Sequence, residues 1–111
     1  MSKKLNNKQI EKFSRQIVLK NIGVIGQKKI LNSRILIIGM GGLGCPVAEY
    51  LTRSGVGTIG IVDHDTVTLS NIHRQSLYNE KDINKSKVKI AKRKLNKINS
   101  NTKINIFNFK I

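Results

Sequence analysis

The chain has 111 residues, of which 39% are hydrophobic, and carries a formal net charge of +15. That length suits one small domain or one part of a larger one. No apolar run approaches the length of a membrane span, and the N-terminus lacks the hydrophobic region of a secretory signal. The single cysteine, Cys45, excludes an internal disulfide framework and a multi-cysteine zinc site. We therefore expect a cytoplasmic protein that does not associate with a membrane.

The basic charge raises the question of a nucleic-acid partner. Basic residues spread from Lys3 to Lys110 and are densest in segment 84–97. Lysine, isoleucine and asparagine are over-used together, which an AT-rich coding bias would produce without selection for binding. The chain has two tyrosines and three phenylalanines, few platforms for stacking on bases. We expect general basicity and no specific nucleic acid.

The first elements in chain order are helical. The spacing of apolar residues predicts an amphipathic helix over 7–19 and a short helix over 26–31. The uniformly apolar run RILII (34–38) predicts a buried parallel strand. A helix over 43–53 follows, and Gly55 is a suitable residue to end it.

The second half of the chain continues the alternation of strands and helices. Segment TIGIVD (58–63) predicts a buried strand with an acid at its end, whereas 64–84 is too irregular to assign. Apolar spacing predicts a helix over 86–99, and alternation predicts a strand over 103–111. We therefore predict one α/β unit over 1–111, with a helical segment (1–33) before a Rossmann-like parallel βαβαβ core with flanking helices (34–111).

The loop GMGGLG follows the first predicted strand and opens a predicted helix. Gly39, Gly41 and Gly44 have the G-x-G-x-x-G spacing, and Gly42 adds a fourth glycine. Such glycines permit a tight turn, let backbone N–H groups approach a phosphate, and allow close packing of helix on strand. The helix N-terminus adds partial positive charge. Asp63, at the end of the second strand, can accept hydrogen bonds from ribose hydroxyls, so we predict a nucleotide site.

Two nucleotide chemistries remain open on these residues. A hydride-transfer enzyme needs little charge beyond the glycine loop, because its cofactor leaves intact. An enzyme that splits ATP must aim several cations and amides at the triphosphate. The chain offers a set of such groups: Arg15, Asn71, Arg74, Gln75 and Lys87. Taken singly, each is also an ordinary surface residue. No Walker-type P-loop occurs.

Four blocks of the sequence resemble successive motifs of the ThiF/MoeB/HesA family, the ubiquitin-activating-enzyme-like adenylyltransferases. The blocks are FSRQIVL (13–19), GMGGLGCPVAEYL (39–51), SGVGTIGIVDHDTVTLSNIHRQ (54–75) and KSKVKIAKRKLNKIN (85–99). Their combination is specific, and a dehydrogenase has no reason to carry the S-N-x-x-R-Q segment. The resemblance favours ATP over a dinucleotide.

The resemblance implies a reaction and a set of site residues. In that family ATP activates the C-terminal glycine of a ubiquitin-like sulfur carrier, giving an acyl-adenylate and pyrophosphate in molybdenum-cofactor, thiamine or related sulfur metabolism. The implied catalytic residues are Arg15, Arg74 and Lys87, with Arg15 reaching the triphosphate of a partner subunit across a dimer. The implied nucleotide-binding residues are Gly39, Gly41, Gly42, Gly44, Asp63, Asp65, Ser70, Asn71, Arg74, Gln75 and Lys87.

Members of that family extend well beyond the part that this chain resembles. Their further residues carry the aspartate that binds Mg²⁺, the zinc-binding cysteine pairs and the cysteine used for sulfur transfer. We therefore expect ATP and Mg²⁺ as cofactors, with no metal ligand and no zinc site within this chain. The expected partners are the carrier and either a second copy or a complementing C-terminal chain. Cys45 is interpreted as a buried packing residue.

Two other functions stay open at this point. A truncated or split chain of this kind could be a non-catalytic fragment that binds nucleotide or serves in dimerisation. An NAD(P)-dependent oxidoreductase is less favoured, because no residue suggests a nicotinamide pocket. Whether 111 residues are active alone is also open.

Overall fold

The computed structural model describes residues 4–12, 23–73 and 75–110. The elements, in chain order, are α1 (Asn7–Lys12), α2 (Gly23–Leu31), β1 (Arg34–Ile38), α3 (Gly44–Ser54), β2 (Thr58–Val62), α4 (Leu69–Ile72), a 3₁₀ turn (Glu80–Asp82), α5 (Lys87–Ile98) and β3 (Lys103–Phe107). Strands and helices alternate from β1 onwards, as the sequence predicts. None of the helices in these ranges is long and apolar enough to cross a membrane.

The three strands form one parallel sheet in the order β1-β2-β3. Ile38, Val62 and Phe107 lie beside one another in the register, so the three strands end at one edge. The predicted Rossmann-like α/β fold is confirmed, and the loops after the strands share the edge where such sheets bind ligands.

The helices α3 and α5 pack against each other and against the sheet. This arrangement follows from right-handed crossovers, which return both helices to the same face of the sheet. The core between them includes Ile59, Ile61 and Leu95, all fully buried. The burial predicted for β1 holds on one face of the strand and is wrong on the other: Ile37 is buried, whereas its neighbours Leu36 and Ile38 are exposed.

Two glycines follow the C-terminal end of α3, and each has a backbone reason to be glycine. Gly55 has a φ of +94° and ends the helix as predicted, with its N–H donating to carbonyls of the last turn. Gly57 lies against the end of α2, where a Cβ atom would stand 1.8 Å from the carbonyl oxygen of Leu31. No side chain fits at Gly57 without displacing the backbone.

A buried carboxylate organises the long loop between β2 and α5. Asp82 is 1% exposed, and its Oδ2 lies 2.5 Å from Nζ of Lys94 on α5. Asn79 and Asp82 also form a reciprocal capping box around the 3₁₀ turn. Burial opposes ionisation of Asp82, but the hydrogen bonds from Lys94 and the Asn79 N–H, with the charges of Lys94 and Arg93, outweigh it and lower its pKa.

Three details differ from the sequence prediction. Helix α2 begins at Gly23 rather than at residue 26, and the irregular loop contains α4 and the 3₁₀ turn. The last strand ends at Phe107 because its neighbour β2 ends at Val62, and the Asp63 N–H donates the final inter-strand bond to Phe107. Of the helix predicted over 7–19, residues 7–12 are helical and the remainder lies outside the described residues.

The close approach at Gly57 makes a stability prediction. We expect Gly57→Ala to lower the free energy of unfolding by about 3 kcal/mol, because the new methyl overlaps a backbone carbonyl. Gly41→Ala is the matched control, since only the Gln75 amide comes near, at 3.7 Å. Urea denaturation measures both, and equal losses would contradict the packing assigned to Gly57.

The ion pair between Asp82 and Lys94 leads to a prediction about how the free energy of unfolding depends on pH. Because the folded pKa of Asp82 lies below its unfolded value, the pair stabilises the fold fully above the unfolded pKa of about 3.9. That stability is lost as the pH falls through the lower, folded pKa. We expect Asp82→Asn to flatten this acid limb of the unfolding free energy, and Glu80→Gln, at an exposed position of the same turn, to leave it unchanged. If the unfolding free energy of the wild type and of Asp82→Asn fell equally with decreasing pH, the stabilising role of the Asp82 ion pair would be refuted.

Candidate nucleotide-binding site

The glycine loop between β1 and α3 has the three features that the spacing predicts. Gly39 has a φ of +93°, which permits the turn, and its N–H donates to the carbonyl of Val62 over 2.7 Å. At Gly44 a Cβ atom would stand 2.0 Å from the Gly39 carbonyl oxygen, so α3 can start here only with glycine. At Gly41, by contrast, the nearest atom to an added Cβ would be Nε2 of Gln75, at 3.7 Å, so a ligand can approach this Cα closely.

The carboxylate of Asp63 holds this loop to the end of β2. One oxygen, Oδ2, accepts the Met40 N–H over 2.7 Å, and the other, Oδ1, accepts the Asp65 N–H over 2.8 Å. Each oxygen keeps a second lone pair. Asp63 therefore fixes two loops and can still accept a hydrogen bond from a ligand.

The Met40 peptide is held from its other side as well. Its carbonyl oxygen accepts the Tyr78 hydroxyl over 2.8 Å and the Cys45 thiol over 3.3 Å. Burial raises the pKa of Tyr78 and that of Cys45. Cys45 is fully buried, as expected for a packing residue. Met40 and Tyr78 were not predicted, because their contact joins residues 38 positions apart.

A cleft of about 270 Å³ opens at the ends of the three strands. Its lining combines apolar and polar groups: Ile38, Gly39, Val62, Asp63, His64, Asp65, Phe109 and Lys110. Of the predicted site residues, it brings together Gly39, Asp63 and Asp65. Ile38, His64, Phe109 and Lys110 were missed, although their position at the carboxyl ends of parallel strands is a signal that could have found them.

Two further predicted residues lie against the same loops. Gln75 is 4% exposed, its amide stands near Gly41, and its Oε1 has no hydrogen-bond partner among the residues that the structure describes. The Lys87 N–H donates to the carbonyl of Asp65 over 3.1 Å, so α5 begins beside the cleft. The side chain of Lys87 is 5% exposed, and its charge partly offsets the raised pKa of Cys45.

The remaining predicted site residues do not line the cleft or lie outside the described residues. Ser70 is exposed on α4, where its hydroxyl lies 3.2 Å from that of Thr68. Asn71 is half-buried on the same helix and accepts the Gln75 N–H. Gly42 is exposed in the loop. Arg15 and Arg74 lie outside the described residues.

Asp63, His64 and Asp65 form a small polar cluster whose potential ligand atoms lie within 4.8 Å of one another. Nε2 of His64 is 3.1 Å from Oδ1 of Asp65, and both side chains are about half exposed. We assign no ion to this cluster, because exposed acidic groups of this kind are common without one.

Comparison with known proteins identifies the family. The model of the ThiF family matches residues 13–111. The chain belongs to the ThiF family. Its three-stranded sheet, glycine loop and acidic strand end are thus a family arrangement, and part of a larger fold.

Sequence and structure comparisons agree on this relationship. "Adenylyltransferase and sulfurtransferase MOCS3" of Aedes aegypti is 48% identical over 101 residues, covering 91% of this chain and 23% of that protein. The structure of PaaA superposes with a TM-score of 0.90 at 35% identity, covering 100% of this chain and 36% of PaaA. MccB of E. coli, crystallised with ATP and in another structure with AMPCPP and MccA, gives a TM-score of 0.75 at 36% identity over 77% of this chain and 25% of MccB. This chain thus spans about a quarter of the length of its curated relative.

The double role of Asp63 makes a prediction about stability. We expect Asp63→Ala to lower the free energy of unfolding by about 1–3 kcal/mol, because the Met40 and Asp65 N–H groups both lose their acceptor. Asp65→Ala is the control, since within the described ranges its carboxylate pairs with His64 at the surface and accepts no backbone N–H. Chemical denaturation compares them, and a loss no greater for Asp63→Ala would disprove the bridging role.

Proposed function

We propose that this chain is part of an ATP-dependent adenylyltransferase that activates a C-terminal carboxylate, giving an acyl-adenylate and pyrophosphate. Membership of the ThiF family supports this, as do the name of the MOCS3 relative and the complexes of MccB with ATP and with MccA. The finer proposal is a ubiquitin-like sulfur carrier as substrate, in molybdenum-cofactor, thiamine or related sulfur metabolism in the cytoplasm.

The observation that carries the proposal is the burial of Lys87 next to the glycine loop. Its side chain is 5% exposed, and no carboxylate in the described ranges forms an ion pair with it. A buried ammonium is costly unless an anion accompanies it. A triphosphate lying between the glycine loop and the start of α5 would supply that anion.

We assign roles to the other site residues from their chemistry and, where the structure describes them, from their position. The glycine loop, Gly39 to Gly44, presents N–H groups and a helix N-terminus to the phosphates. Asp63 accepts a ribose hydroxyl on its remaining lone pairs, with Asp65 beside it. Gln75 offers an amide next to Gly41, and Asn71 and Ser70 lie on the preceding short helix. Arg74 and Lys87 stabilise the charge that develops on the pyrophosphate leaving group.

Two groups complete the proposed site from outside the described residues. Mg²⁺, when bound, neutralises phosphate charge, and we expect its protein ligand to come from beyond this chain. Arg15 of a second copy would reach the triphosphate, in the manner of an arginine finger. A homodimer, or a complementing chain, is therefore part of the proposal.

The experiment is a nucleotide titration followed by ATP–pyrophosphate exchange. We expect ATP to bind in preference to NAD⁺, and exchange to need Mg²⁺ and a ubiquitin-like carrier that ends in glycine. Arg74→Ala should lower exchange at least tenfold. Full-rate exchange in that variant would count against the mechanism, tighter binding of NAD⁺ would favour an oxidoreductase, and ATP binding without exchange would favour a non-catalytic fragment.

Lys87 gives a sharper test because a matched control lies two residues away. We expect Lys87→Gln to weaken ATP binding about tenfold to a hundredfold, whereas Lys89→Gln, at an exposed position of the same helix, leaves it unchanged. Lys87→Gln should not lower the melting temperature, since it removes the charge of a buried residue that forms no ion pair within the described part of the chain. Lower stability together with unchanged ATP affinity would show that Lys87 is structural only.

A further inference from the structure

We propose that Phe109 is the stacking platform for the purine base of the bound nucleotide. This inference rests on the proposed ATP site and adds a residue that recognises the base. Phe109 lies two residues beyond the end of β3, and it lines the same cleft as Gly39 and Asp63.

The order of the strands gives the direction in which a nucleotide would lie. The glycine loop follows β1, Asp63 follows β2, and Phe109 follows β3, in a sheet whose order is β1-β2-β3. With the phosphates over the end of β1 and the ribose over the end of β2, the base falls over the end of β3. The aromatic side chain available there is Phe109.

The surroundings of Phe109 suit a flat, apolar ligand. Its ring is 51% exposed, although large apolar side chains gain by burial. Phe107 holds the ring in a T-shaped contact, with ring centroids 6.2 Å apart and planes at 72°. Val62 at the end of β2 is an apolar residue that lines the same cleft. A base would cover the part of the Phe109 ring that the protein leaves exposed.

Stacking predicts how Phe109 contributes to selectivity. Every base offers a π face, so an aromatic platform raises affinity for nucleotides without choosing among bases. We therefore expect Phe109 to strengthen binding of ATP and GTP by a similar factor. It would contribute nothing to binding of inorganic tripolyphosphate, which has no base.

The absence of tryptophan from the sequence makes a direct test available. In Phe109→Trp, the single tryptophan should lose fluorescence when AMP or ATP is added, but not when tripolyphosphate is added. Tyr50→Trp is the matched control, because Tyr50 is exposed on α3 and does not line the cleft; its fluorescence should not change.

The second test compares the nucleotide affinities of Phe109 variants. We expect Phe109→Ala to weaken binding of AMP about tenfold and Phe109→Tyr, which keeps the ring, to bind as the wild type does. Phe109→Leu repeats the loss of the ring should the alanine variant be unstable. If the wild type binds neither ATP nor tripolyphosphate, the proposed function fails. If the wild type binds ATP and both ring-less variants bind it equally well, only the assignment of Phe109 is overturned.

Discussion

The carboxylate of Asp63 joins the loop after β1 to the loop after β2, just beyond the point where the two strands stop pairing. It accepts the Met40 N–H, while the carbonyl of the preceding Val62 accepts the Gly39 N–H. Two consecutive peptides after β1 are thus bonded to Val62, the last residue of β2, and to Asp63, the residue after it. The hydrogen bonding between β1 and β2 therefore continues into the first two residues of the glycine loop. The orientation of the loop depends on this connection, which the Val62 carbonyl and the Asp63 side chain supply together.

The distribution of charge explains why so basic a chain can hold a specific anion site. Most of its cations are exposed, where water solvates them and each contributes little. Lys94 forms an ion pair with Asp82, and this pair organises the loop before α5. Lys87 differs from both groups, since it is buried and has no ion pair in the described part of the chain. Burial, rather than the total charge, distinguishes the cation that can act in a site.

The sequence predicts the parts of this fold that depend on local pattern. The apolar runs of β1 and β2, the glycine spacing and the acid at residue 63 each occupy a short stretch, and the structure has the two strands within one residue of the prediction. Contacts between distant residues are different, because no local pattern reports them. The bond from Tyr78 to Met40 and the position of Phe109 in the cleft arise only when the sheet has assembled. The four-residue helix α4 is too short to produce a periodic signal.

The contact between Gly44 and the Gly39 carbonyl affects how much conformational entropy the loop would lose when an anion binds. Because the first turn of α3 touches the backbone of the loop, neither can move without the other, and α3 is itself buried in the core through Ala48 and Thr52. These contacts are present without a ligand, so the loop already has its conformation before a ligand arrives. An anion that binds there does not have to order a flexible segment, so little of its interaction energy is spent on lost conformational entropy.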